Sequence, residues 1–191
     1  GGGQVLKDII DSQKIEVVKL TEIYRQLKNS DIVVNAHLIN QGLLPIFKEK
    51  VKQKDFYFIE INKTEDIIKM VKILVKKRIP EKFKLDPIRS VQILCPMQKS
   101  GCGAKNFNLE IQKILNPNYL HGLESFGQKY ALGDKVMQIE NNYNKEVYNG
   151  DVGYISQIDY EEHKVKIIFY DKEVVYLFTE LDEITLAYAI T

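Results

Sequence analysis

The order in which two kinds of hydrophobic pattern follow one another limits this chain more than any other feature. Up to about Gly133, segments with strand and helix periodicity alternate; beyond it only short strands occur. Val5-Leu6 and Ile9-Ile10 have helical spacing, ended by Asp11-Ser12. Ile15 to Leu20 reads as a short strand rich in β-branched residues. From Asp31, the apolar positions Ile32, Val33, Ala36 and Ile39 predict a helix stopped by Gly42 and Pro45. Phe56 to Ile61 reads as a strand. Thr64-Glu65-Asp66 caps a helix through about Lys77, and Val91 to Cys95 reads as a buried strand closed by Pro96. Asn106 to Leu115 is a further helix, ending at Asn116-Pro117. Such alternation predicts a parallel sheet covered by helices.

After Gly133 the expected strands are Val136–Ile139, Gly153–Ile158, Lys164–Phe169 and Val174–Leu177. Turn residues separate them: Asn149-Gly150-Asp151, Asp159 to His163, and Asp171-Lys172-Glu173. No helix-length segment intervenes, which predicts a small antiparallel barrel.

The 191 residues suffice for one domain or two small ones. A net charge of +1 gives no global attraction to nucleic acid, so any such binding must use a local patch. The two cysteines, Cys95 and Cys102, lie seven positions apart, outside zinc or C-x-x-C spacing, and read as reduced thiols. His37, His121 and His163 have no catalytic partner at a telling spacing, and the basic stretch Lys76 to Lys84 reads as a solvated helix end. No apolar run is long enough to span a membrane and no secretory signal is visible, so the expected location is cytoplasmic.

Four short motifs occur in order: Leu20-Thr21-Glu22-Ile23-Tyr24-Arg25-Gln26, Ile93-Leu94-Cys95-Pro96-Met97, Gly133-Asp134-Lys135-Val136-Met137-Gln138, and Thr185 to Thr191. In this order they resemble the C-terminal motor half of RecD-like superfamily-one DNA helicases, the exonuclease V alpha-chain family. The resemblance implies an α/β fold: a RecA-like parallel sheet with helices on both faces, plus an SH3-like antiparallel β-barrel insertion. It implies that residues 1–20 end a first motor domain. Residues 21–135 and 184–191 would form the second RecA-like domain, and residues 136–183 the barrel. The family's fifth motif continues beyond a Thr equivalent to Thr191, so the sequence reads as part of a larger ATPase.

The resemblance assigns Arg25 the role of arginine finger on the ATP γ-phosphate, with Gln26 beside it at the nucleotide. Guanidinium suits that role, being permanently charged and able to grip phosphate oxygens in a fork. A surface Arg paired with Glu22 is the alternative from the residues alone. The loop Met97-Gln98-Lys99-x-Gly101-x-Gly103 leaves the carboxyl end of a strand, where ligands of open α/β sheets bind. It lacks the Gly-Lys-Ser/Thr of a phosphate-binding loop. The resemblance makes Met97 and Lys99 contacts to single-stranded DNA; a plain strand-to-helix connection is the alternative. Asn141, Asn142 and Tyr143 combine amides with an aromatic face, the chemistry of single-strand binding, but also that of a β-turn. The resemblance places Thr191 on the DNA backbone. Asn149-Gly150-Asp151-x-Gly153 reads as structural.

The parent so implied would use ATP and Mg²⁺ to translocate on single-stranded DNA, 5′ to 3′, in recombination and repair. Its partners would be the N-terminal motor domain of the same chain and, in a multisubunit parent, other exonuclease V subunits. This stretch alone carries no metal site, no bound cofactor is expected on it, and it is expected not to hydrolyse ATP. The rival reading is a non-enzymatic nucleic-acid or protein binding module built on the barrel.

Overall fold

In the computed structural model, residues 2–14, 30–47 and 55–191 are described. The strand expected at 15–20 and the site residues Arg25 and Gln26 lie outside them. The chain forms two compact units, Gly1–Glu60 and Ile61–Thr191.

In the first unit, α1 (Gly2–Asp11) ends where Ser12 Oγ donates to the Ile9 carbonyl at 2.6 Å, close to the expected stop. Helix α2 (Asp31–Asn40) is capped from a distance: the Asp55 carboxylate accepts from the backbone N–H groups of Asp31 and Ile32 and from the Ser30 hydroxyl. Gly42 then ends the helix with φ +77°, a left-handed conformation that glycine adopts at little cost. The buried Asn35 grips the backbone of Ile46 with both amide atoms, at 2.7 and 3.0 Å. Phe56–Ile61 corrects the sequence reading, since it enters no strand. The rings of Phe56 and Phe58 instead stack on Phe47, with centroids 5.9 and 4.7 Å away. Alternating aromatics seat a loop on a neighbouring ring as readily as they line a sheet face.

In the second unit, α3 (Thr64–Ile73) begins after Lys63 with no side-chain cap, so the expected Thr64 cap is not made. The helix also runs past Lys77, through a π-helical turn at Leu74–Arg78 into α4 (Ile79–Phe83). Pro80 has no N–H to donate to the preceding turn, and the wider turn accommodates that loss. Strand β1 is only Ile93–Leu94, and α5 is Ala104–Leu115. Phe107 and Ile111 of α5 are buried, with Ile67, Ile68 and Val71 of α3 packed against the same core.

A short 3-10 helix (Pro117–His121) leads to a hairpin not read from the sequence, β2 (Leu123–Ser125) and β3 (Gln128–Tyr130). Four strands follow near the expected positions: β4 (Lys135–Gln138), β5 (Val152–Asp159), β6 (Lys164–Phe169) and β7 (Lys172–Leu177). Inward residues alternate with outward ones along β6 and β7. Val165, Ile167, Phe169, Val174 and Tyr176 are buried, which fixes register, because a one-residue slip would expose them all. The turn between β6 and β7 is Tyr170-Asp171, one position earlier than expected.

The apolar run Ile184–Ile190 near the end of the chain is divided between two strands. Strand β8 (Ile184–Leu186) pairs antiparallel with β4, while β9 (Ala189–Ile190) pairs parallel with β1. The chain changes sheets at Ala187-Tyr188. An unbroken apolar run suits burial in either sheet, so periodicity does not mark the changeover. The antiparallel sheet has the order β7-β6-β5-β4-β8, with β7 and β8 at its ends. The molecule thus combines parallel and antiparallel pairing with helices.

Candidate nucleic-acid interface

Parallel pairing of β1 with β9 sets their carboxyl ends side by side. Cys95 N donates to the Ile190 carbonyl at 2.8 Å, and Ile93 N to that of Tyr188 at 3.3 Å. The loop after β1 and the final residue therefore share one edge. There the Gln98 amide donates to Thr191 Oγ1 at 2.9 Å. Met97 is 51% exposed, and Lys99 and Thr191 are exposed. The loop is held from below: Ala104 N and Lys105 N, in the first turn of α5, donate to the carbonyls of Met97 and Gln98. Gly103 is required for this approach, because a Cβ there would lie 2.5 Å from the Gln98 carbonyl oxygen. A rigid loop thus presents an apolar side chain, an ammonium and a hydroxyl together.

Asn141, Asn142 and Tyr143 occupy the connection from β4 to β5. The amides are engaged in holding it. Asn141 Oδ1 accepts from Asn149 N, and Asn142 Oδ1 from Lys145 N. Asn142 Nδ2 donates to both Glu183 carboxylate oxygens. Glu183 also accepts from Gln138, whose carbonyl accepts from the Tyr176 hydroxyl at 2.6 Å. These bonds fit a turn-holding role for Asn142 and occupy the donors of its amide, leaving one acceptor position on Oδ1. Tyr143 is 73% exposed, with its ring edge-on to Tyr148 at 6.0 Å. Gly150 takes φ +96° in the turn that follows. No hydrogen bond, ion pair or ring contact among the described residues joins this loop to the Met97–Thr191 edge.

Sequence reasoning missed the group that holds the edge in place. Asn108 and Gln112 on α5 and Asn116 just past its end stand four apart, all buried. Asn108 exchanges two 2.9 Å bonds with the backbone of Ala189, fixing β9. Gln112, Asn116, Ala131 N and the Tyr188 hydroxyl all donate to Asp134, each at 2.7 Å. Burial pushes the Asp134 carboxyl above its usual range, while the bonds from Tyr188, Asn116, Ala131 and Gln112 pull it back. The backbone N–H and the two amides only donate, so the site is built for the ionised form. Burial and the neighbouring Asp134 likewise push the Tyr188 hydroxyl up. Three amides at helical spacing among apolar residues were the available signal.

Among the described residues, no cluster of His, Cys, Asp or Glu could hold a metal ion, and no helix is long and apolar enough to cross a membrane.

Residues 107–169 match the family described as the ATP-dependent RecD-like DNA helicase SH3 domain. Over 184 residues the chain is 28% identical to the ATP-dependent RecD2 DNA helicase of Deinococcus radiodurans, covering 94% of this chain and 23% of that protein. It is also similar to the crystal structure of Pif1 helicase from Bacteroides in complex with ADP-AlF3 and ssDNA. There the TM-score is 0.50 at 15% identity, over 93% of this chain and 42% of that one, a likeness of fold. The family match starts within α5 and stops at the end of β6, so it covers most of the antiparallel sheet but neither β7 nor β8. Taken with the order of the four motifs, these findings support the chain's resemblance to RecD-like helicases, and the chain spans 23% of the length of the curated relative it matches.

Proposed function

We propose that this chain is part of an ATP-driven motor that moves along single-stranded DNA and separates its strands. In this reading the edge formed by the β1 loop and Thr191 carries the DNA backbone. The observation that carries it is the parallel pairing of β1 with β9, which brings Met97, Lys99 and Thr191 to one edge of the sheet. Ligands of α/β sheets bind beyond the carboxyl ends of the strands. Lys99 supplies charge for a phosphate, Thr191 a hydroxyl, and Met97 an apolar contact for sugar or base. Tyr143 supplies a separate stacking face, while the amides of Asn141 and Asn142 hold the loop that presents it.

The parent would bind ATP and Mg²⁺, with Arg25 and Gln26 at the nucleotide, and translocate 5′ to 3′ in recombination or repair in the cytoplasm. It would act alone or as an exonuclease V alpha subunit. These 191 residues contain no Gly-x-x-x-x-Gly-Lys-Ser/Thr sequence, and by themselves would not turn over ATP.

Fluorescence anisotropy with a labelled single-stranded oligonucleotide tests the reading. The chain should bind weakly and lose affinity steeply with salt, because phosphate contacts release counterions. Lys99→Ala should lower the salt slope by about one phosphate contact. Tyr143→Ala should weaken binding by about 1–3 kcal/mol at any salt. Salt-independent binding that is untouched by either change would sink the proposal.

A further inference from the structure

A cavity of about 440 Å³ opens beside the second half of α5, roofed by the β2–β3 hairpin. Leu109, Tyr119 and Phe126 give it apolar walls, and Lys113, Gln128 and Lys129 give it donors. Three features of these residues lack an internal explanation.

The first is the hairpin turn. Its central residues are Phe126 and Gly127, with φ of +49° and +72°. A two-residue turn with both φ positive favours Asn-Gly, since a bulky side chain is strained there. Phe126 holds this conformation while its ring is 63% exposed, so the folded chain itself gains little from the ring. Strain at an exposed aromatic points to a use outside the fold.

The second is charge. Lys72, Lys145, Lys164, Lys166 and Lys172 each pair with a glutamate. Among the described residues, no carboxylate lies within ion-pair distance of Lys113 or Lys129, although the Lys113 charge helps to lower the Glu110 carboxyl. Their ammonium groups lie instead 5.9 and 4.7 Å from the centre of the Tyr119 ring. The third is Gln128, whose Nε2 is buried with no acceptor among the described residues.

We propose that this cavity docks an acidic peptide segment of a partner protein. An apolar side chain of the peptide would rest between Leu109 and Phe126. A carboxylate would meet Lys113 and Lys129, and a carbonyl would take the Gln128 amide. A single-stranded nucleic acid fits less well. It needs a row of cations along its backbone, whereas here two ammonium groups converge on one ring and Glu124 stands in the same wall.

The test pans a random peptide display library against the unmodified chain, then measures the best enriched peptide as a synthetic ligand. Enriched sequences should combine Asp or Glu with Phe, Leu or Ile. Lys113→Glu with Lys129→Glu should weaken binding at least about tenfold, and so should Phe126→Asn. Phe126→Asn installs the residue the turn prefers, so Tm should hold or rise while binding falls, a split that a structural role for the ring would not produce. An oligodeoxythymidylate is the competing probe and should leave the peptide bound. Enrichment of no acidic–apolar sequence, binding undiminished in the lysine variant, or displacement of the peptide by the oligonucleotide would each overturn the proposal.

Discussion

Asp134 joins more of the molecule than any other side chain described. Its four donors come from α5, from the residue that ends it, from the turn before β4 and from the link between β8 and β9. Removing the carboxylate would leave three N–H donors buried without an acceptor, and each such group carries a full desolvation cost. Asp134→Ala should therefore lower unfolding stability by more than about 3 kcal/mol in a urea titration. Tyr188→Phe removes one bond to a charged acceptor and leaves the packing, and should cost about 1.5–3 kcal/mol. A loss below 0.5 kcal/mol (roughly the noise of surface substitutions) in either variant would mean that the network is not the tie it looks to be.

Among the elements, α3 and α5 are joined at the surface by Lys72 and Glu110, 2.6 Å apart and about a third exposed. The hydrogen bond from Lys72 holds the Glu110 carboxyl below its usual range against the opposing effect of burial. Its folded pKa is thus lower than its unfolded one. The stabilisation is present above the unfolded carboxylate pKa and is lost as pH falls through the folded value. At this exposure it amounts to less than about 1 kcal/mol. Glu110→Gln should remove a small part of the acid limb of a stability–pH curve and leave stability at high salt nearly unchanged. Within the antiparallel sheet, β5 and β6 approach closely at Gly153. A Cβ there would stand 2.8 Å from both Ile167 Cγ2 and the Ile168 carbonyl oxygen. Gly153→Ala should cost about 1–3 kcal/mol through overpacking, read from the shift of a denaturation midpoint.

At the scale of the whole molecule, the antiparallel sheet lies in sequence between β1 and β9, and the Tyr188 hydroxyl, in the link between β8 and β9, donates to Asp134 just before β4. In the motor proposed above, Arg25→Ala should leave ATP binding nearly intact and cut DNA-stimulated kcat by about 10³ or more, as expected of a group acting on the transition state. Steady-state kinetics decide this, and an unchanged kcat would take Arg25 out of the nucleotide site.

The sequence by itself determined the change from alternating elements to consecutive short strands, since periodicity and turn residues act over a few positions and need no distant partner. It located α2, α5 and the strands from Lys135 to Leu177 to within a few residues for the same reason. Its motif order carried the resemblance to RecD-like helicases that the comparisons then supported. What it left open depends on contacts between residues far apart in the chain. The apolar run Ile184–Ile190 serves two sheets because hydrophobicity records burial but not which neighbour supplies it. The Asn142 amide, free in the sequence, is engaged by Glu183 only once the 3-10 turn after β7 folds beside it. The amides of α5 acquire their purpose from Asp134 and Ala189, 18 to 81 residues further along. Hydrogen bonds of that reach are set by tertiary packing alone.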